Sequence, residues 1–267
     1  MNGHASLLGI SHITELPKAS RRLAGFDDPR PADARAAAAN DATRWATVAM
    51  NGPLVRGAYT PASSRLREIP FAEAANDHGN YVFAGASIAV GILCAQSYVR
   101  TGWPTAIVGP RDGVVGNLPV YEIEDGGQTY AIPLETMVGD DVLKEAARAG
   151  IALFGCAANH DAAVLSRAPV YHKRGAEAPT TTLGDQLFVG RFASAVQQVA
   201  AALPGDVDPA AGAEAAQIAL LDLFENAPPS GPEVYAKIAG GRLEVRVRPR
   251  RWAGVALEEF ALAAPLG

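Results

Sequence analysis

Two rhythms of hydrophobic and polar positions run along the chain. Phe188, Phe192, Val196, Val199 and Leu203 recur at helical spacing, and Pro204-Gly205 ends the run. Asp208-Pro209 has the cap-then-proline order of a helix start, and Ile218, Leu220, Leu221 and Leu223-Phe224 carry an apolar face towards Asn226 and the stop Pro228-Pro229. Thr180-Thr181-Thr182 precedes the first of these helices. Asp140 to Arg148 has acidic residues in its first turn, Val142, Leu143 and Ala146 on one side, and Gly150 beyond its end. Gly79 to Val99 is an uncharged apolar stretch with cap candidates in Asp77-His78-Gly79-Asn80 and end signals in Arg100, Gly102 and Pro104. Its Asn80, Ser87, Gln96 and Ser97, and its glycines, predict a buried core helix rather than a membrane span.

The second rhythm has period two. Leu243, Val245 and Val247 alternate with Arg242, Glu244, Arg246 and Arg248, and Gly240-Gly241 joins this run to Val234–Ile238 as a hairpin. Val255 to Leu262 reads as one more strand. Ala46, Val48 and Met50 alternate within a run opening at Asp41 and closed by Asn51-Gly52-Pro53. Asp125-Gly126-Gly127 separates Val120–Ile123 from Thr129–Ile132, a second hairpin. Ile151 to Cys156 reads as a buried strand, Thr105 to Val108 as a short β-rich run, and residues 109–113 as a loop. Long helices beside hairpins and isolated strands predict an α+β (mixed α/β) fold, a mixed sheet flanked by helices. Residues 1–40, with the alanine-rich run from Pro29 to Asp41, read as an N-terminal helical or linker segment. Residues 41–267 read as one domain, with 234–267 its contact region.

Composition narrows the function. The 267 residues carry 23 Lys plus Arg against 28 Asp plus Glu, a net charge of -5, which gives no global field for nucleic acid or an anionic membrane. Cys94 and Cys156 stand far apart without a CxxC pair, and no signal peptide opens the chain, so a cytoplasmic location is expected. The glycine-rich 109–116 run lacks both GK[ST] and GxGxxG and reads as a turn. Five histidines show no metal-ligand spacing, so no metal and no cofactor are expected. Cys156 with His160 and Asp161 holds the inventory of a thiol nucleophile, and a small cytosolic enzyme using Cys156/His160 is the catalytic alternative. Arg242, Arg246, Arg248, Arg250 and Arg251 concentrate positive charge on the tail strands. That pattern reads equally as a solvated strand face or as a contact surface, with Glu258 and Glu259 near enough to neutralise part of it.

The order of several segments then becomes informative. Asp41-Ala42-Thr43-Arg44-Trp45, Asn80-Tyr81-Val82-Phe83-Ala84 through Gly102-Trp103, Ile107 to Gly113 and Asn117-Leu118-Pro119 follow one another along the chain. Gln128 to Pro133, Leu143 to Leu153, Leu183 with Gln186-Leu187, and Gly190-Arg191-Phe192-Ala193 follow in turn, with Leu243 to Leu262 last. This series resembles the large subunit of the type VI secretion contractile sheath, the TssC/VipB/ImpC family, and the resemblance places the chain on that subunit's C-terminal half only. It implies a noncatalytic structural protein that assembles by strand exchange with copies of itself, with a small sheath subunit and around an inner-tube protein. A non-polymerising adaptor of sheath components is the other reading. The contact residues it implies are Arg242, Glu244, Arg246, Arg248, Arg250, Arg251, Val255, Leu257, Glu258 and Glu259, with Arg242–Arg248 and Val255–Leu262 as the binding strands.

Overall fold

The computed structural model describes residues 1–8, 10–18, 32–62, 70–75, 77–172, 181–225, 227 and 231–267. The signals read at 29–31, Thr180, Asn226 and Pro228-Pro229 lie outside the described residues. The chain divides into two compact units, residues 1–95 with 107–183, and residues 96–106 with 184–267.

The first unit holds α1 (Ala32–Ala38), β1 (Val48–Met50), the start of α2 (Ala86–Thr101), α3 (Gly109–Asp112), β2 (Val114–Val115), β3 (Tyr121–Asp125), β4 (Gln128–Ile132), α4 (Asp140–Arg148), β5 (Ile151–Cys156) and β6 (Ala163–Leu165). Its main sheet runs β1-β5-β6-β2. β1 lies parallel to β5, with Val48 opposite Ile151, and β5 lies antiparallel to β6. Both faces of this pair are covered. Val48, Met50, Ile151 and Leu153 pack with Leu8, Ile13, Leu16 and Val142, while Ala49, Ala152 and Phe154 pack with Ala89, Leu93 and Leu165. That double burial is why the apolar run of β5 is unbroken, and why Thr47–Met50 is buried throughout instead of alternating.

Four local expectations change in this part of the chain. The strand predicted from Asp41 starts only at Val48, because the Asn40 side chain accepts the Ala42 N–H at 2.9 Å and winds Asp41–Trp45 into a 3-10 turn. The helix predicted from residue 79 starts at Ala86. Phe83 instead bridges to Leu54, Val55 N–H donates to the Val82 carbonyl and Ala84 N–H to that of Pro53, so residues 82–84 are extended. Residues 105–108 form no strand, and Gly109–Asp112 is a single helical turn rather than a loop. Gly102, at φ 74°, stops α2 as expected, and no helix among the described residues is long and apolar enough to cross a membrane. The β3–β4 hairpin forms with Gly126 and Gly127 at positive φ in its turn.

The second unit contains α5 (Leu183–Ala202), α6 (Pro209–Leu221), β7 (Glu233–Ala239), β8 (Arg242–Arg248) and β9 (Phe260–Pro265). Asp208 caps α6 by accepting the Ala211 N–H at 2.9 Å. The predicted stripe of α5 faces an aromatic core. Trp103 stacks on Phe188 and Phe224 with ring centroids 4.8 and 5.3 Å apart, and Phe260 meets Phe188 and Phe192 edge-on at 5.9 and 6.1 Å. The Trp103 indole N–H reaches the Leu223 carbonyl at 3.2 Å. The whole is the expected α+β architecture.

Candidate assembly interface

The alternation in β8 works out as a one-sided sheet. Leu243, Val245 and Val247 are buried in the core of the second unit, while Arg242, Glu244, Arg246 and Arg248 are exposed. Gly240 and Gly241, at φ 55° and 71°, make the two-residue turn that sets Ala239 opposite Arg242 and Glu233 opposite Arg248. β9 runs back along the other side, with Val245 opposite Leu262 and Arg246 opposite Ala261.

The order β7-β8-β9 corrects one expectation. β8 is the central strand, its backbone paired on both sides, so Arg242–Arg248 cannot itself accept an added strand. The two free edges belong to β7 and β9, and they differ. Leu266 N–H bonds to the Gly241 carbonyl at 3.1 Å, and antiparallel pairing alternates, so Leu262 and Ala264 turn their amides to β8 while Ala261 and Ala263 turn theirs outward. Pro265, which has no amide to leave unpaired, occupies the next outward position. By the same alternation Ala236 points its N–H out of β7, where the Gln217 side chain of α6 accepts it at 3.4 Å. The β7 edge is thus partly occupied, and among the described residues the outer edge of β9 meets no other strand.

The predicted strand Val255–Leu262 is also shifted. Regular pairing starts at Phe260, because Arg251 and Ala253 adopt left-handed backbone and the Ala256 amide is taken by Asp185. Val255, 1% exposed, belongs to the core, and Leu257 packs partly against it; both hold this strap to the unit's interior. Glu258 is exposed.

Electrostatics on the outer face are largely settled within the chain. Glu259 pairs with Arg248 and, at 3.3 Å, with Arg246; Glu233 pairs with Arg250 and, at 4.0 Å, with Arg248; Lys237 meets Glu244 at 3.1 Å. The hydrogen bond and charge of Glu259 raise the Arg248 pKa further above its ordinary value. Arg242 and Arg251 make no ion pair among the described residues and stand exposed. Beside these charges, β9 presents only Ala261, Ala263 and Pro265 outward, a flat rim next to the half-exposed Tyr235 and Arg246. The alanine alternation of β9 is the sequence signal for this edge.

The catalytic alternative finds no support in the geometry. Cys156 ends β5 half-buried, burial pushes its thiol up to about 11, and no hydrogen bond joins it to the exposed His160 among the described residues. A nucleophilic thiol needs the opposite shift.

A family model described as EvpB/VC_A0108, tail sheath N-terminal domain (VipB), matches residues 1–172. The chain belongs to this tail-sheath family. It is therefore a sheath-type structural protein of type VI secretion, as the order of segments implied. The matching description is that of the N-terminal domain, which sets residues 1–172 against that domain rather than against the C-terminal half alone. The β7–β8–β9 sheet lies beyond the matched tail-sheath span. No curated protein matches the chain.

Proposed function

We propose that this tail-sheath protein is a noncatalytic structural subunit of a contractile sheath in the cytoplasm, joined to its neighbours by strand addition at the outer edge of β9. The observation that carries the reading is that edge. Ala261 and Ala263 direct their amides outward with no strand beside them among the described residues, and their small side chains let another backbone approach. In this reading residues 41–267 form the sheath domain and 234–267 its contact region. The exposed Arg242, Glu244, Arg246, Arg248, Arg250, Arg251, Glu258 and Glu259 set register and partner choice, since charge placed beside a strand edge selects alignment more than it adds affinity. The partners are further copies of the chain, a small sheath subunit and the inner-tube protein.

Removing residues 253–267 would also take Val255, Phe260 and Ala264 out of the core, so a point change is the cleaner test. Ala263→Pro deletes an outward amide and leaves the inward bonds of Leu262 and Ala264 in place. The variant is expected to melt close to the parent while losing assemblies seen by sedimentation velocity and negative-stain microscopy. Assemblies that form unchanged with Ala263→Pro defeat the strand-addition reading.

A further inference from the structure

The first unit contains a cavity of about 660 Å³ that strand addition leaves unused. One side of it is aromatic. The Tyr81 and Tyr121 rings lie 4.4 Å apart by centroids, with Phe83 behind them 5.6 Å from Tyr121. Both phenol hydroxyls are committed, Tyr121 to the Glu135 carbonyl at 2.9 Å and Tyr81 to that of Ala75 at 3.0 Å, so their hydrogen-bonding ends are already used.

Five carboxylates stand in the rest of the lining, among threonines and apolar residues: Asp77, Glu122, Glu124, Asp125 and Glu135, with no lysine or arginine among the described lining residues. Glu135 accepts the Gly52 N–H at 2.7 Å, yet burial outweighs both that bond and the charge of nearby His12 and holds its carboxyl above the usual range, as expected of a desolvated carboxylate. His78, also in the lining, has an enclosed Nε2 with no hydrogen-bond partner among the described residues. Burial and the nearby His12, whose ring sits 4.8 Å away, lower the His78 pKa and favour a neutral imidazole.

Aromatic walls, spare acceptors and a concentration of carboxylates together describe a receptor for a planar cation bearing several N–H groups. We propose that this cavity takes an arginine side chain presented by a partner protein, its guanidinium stacked against Tyr81 and Tyr121 and hydrogen-bonded to Glu135. A lysine ammonium is a compact point charge and uses the flat aromatic wall less well. The site shares no residue with the β9 edge, so it stands or falls independently of strand addition.

The test is a titration of the full chain, labelled at tyrosine for NMR, with acetyl-Gly-Arg-Gly-amide and with its uncharged citrulline isostere. Saturable shifts of Tyr81 and Tyr121 are expected with the arginine peptide alone, at a Kd on the order of millimolar. Glu135→Gln, which keeps an oxygen for the Gly52 amide, should weaken binding by ~10-fold or more. Should that variant fail to fold, Glu124→Lys on the exposed rim should weaken binding as well. No shift up to ~50 mM peptide, an equal response to the citrulline peptide, or unchanged binding in the folded variants overturns the proposal.

Discussion

The Oδ1 of Asp185 accepts the backbone N–H of Ala256 at 2.8 Å, tying the first turn of α5 to the strap that leads into β9. Asp185 is 4% exposed, and the strap it holds contains Arg250, Arg251 and Ala253 at φ 51°, 60° and 47°. Left-handed backbone at residues bearing a Cβ persists only where surroundings fix it. The Thr105 hydroxyl supplies a second anchor by donating to the Ala253 carbonyl at 2.7 Å.

Replacing that carboxylate therefore has a definite cost. Asp185→Ala removes the carboxylate that accepts the part-buried hydrogen bond from the Ala256 amide and is expected to destabilise the protein by ~1–3 kcal/mol. Urea unfolding measures it, and Asp185→Asn, which keeps an acceptor oxygen, should lose less. A midpoint unchanged in Asp185→Ala would show that the strap is held by other contacts.

Phe192 tests the core beneath the same sheet. Its ring is 0% exposed, stacks on Phe224 at 5.9 Å and meets Phe260 edge-on, so it supports β9 from below. Phe192→Ala should cost roughly 3–5 kcal/mol in thermal or denaturant unfolding. A near-neutral shift would instead assign the ring to a partner surface.

The Cys156 thiol gives a pH-dependent readout. With its pKa pushed up to about 11 by burial, only roughly one thousandth of it is thiolate at pH 8. Native iodoacetamide labelling at pH 8 should be far slower than that of the unfolded chain, and should speed up as pH rises towards 11. Rapid labelling at neutral pH would revive the nucleophile reading.

Local chemistry made much of the architecture readable in advance. Gly240-Gly241 and Gly126-Gly127 announce their hairpins because two successive residues at positive φ suit few side chains. Asp208-Pro209 and the Phe188–Phe192–Val196 spacing announce their helices for similarly short-range reasons. The start of α2 was not readable, since what keeps residues 82–84 extended is pairing with residues 53–55, some 30 positions earlier. The cavity of Tyr81, Tyr121 and Glu135 was equally hidden. Its parts come from distant segments, and only Glu122, Glu124 and Asp125 on one hairpin hinted at concentrated negative charge.

Side-chain periodicity along each strand and helix was fixed by the order of residues, because a backbone of given pitch must send every second or every third to fourth side chain the same way. The sequence thus settled that β8 has an apolar and a charged face, and the succession of its segments pointed to the sheath family. Which strand became the sheet's edge was a matter for tertiary structure alone. Strand order depends on how β9 folds back past the anchored strap, and that placement moved the open backbone from the arginine-rich strand to its alanine-lined neighbour.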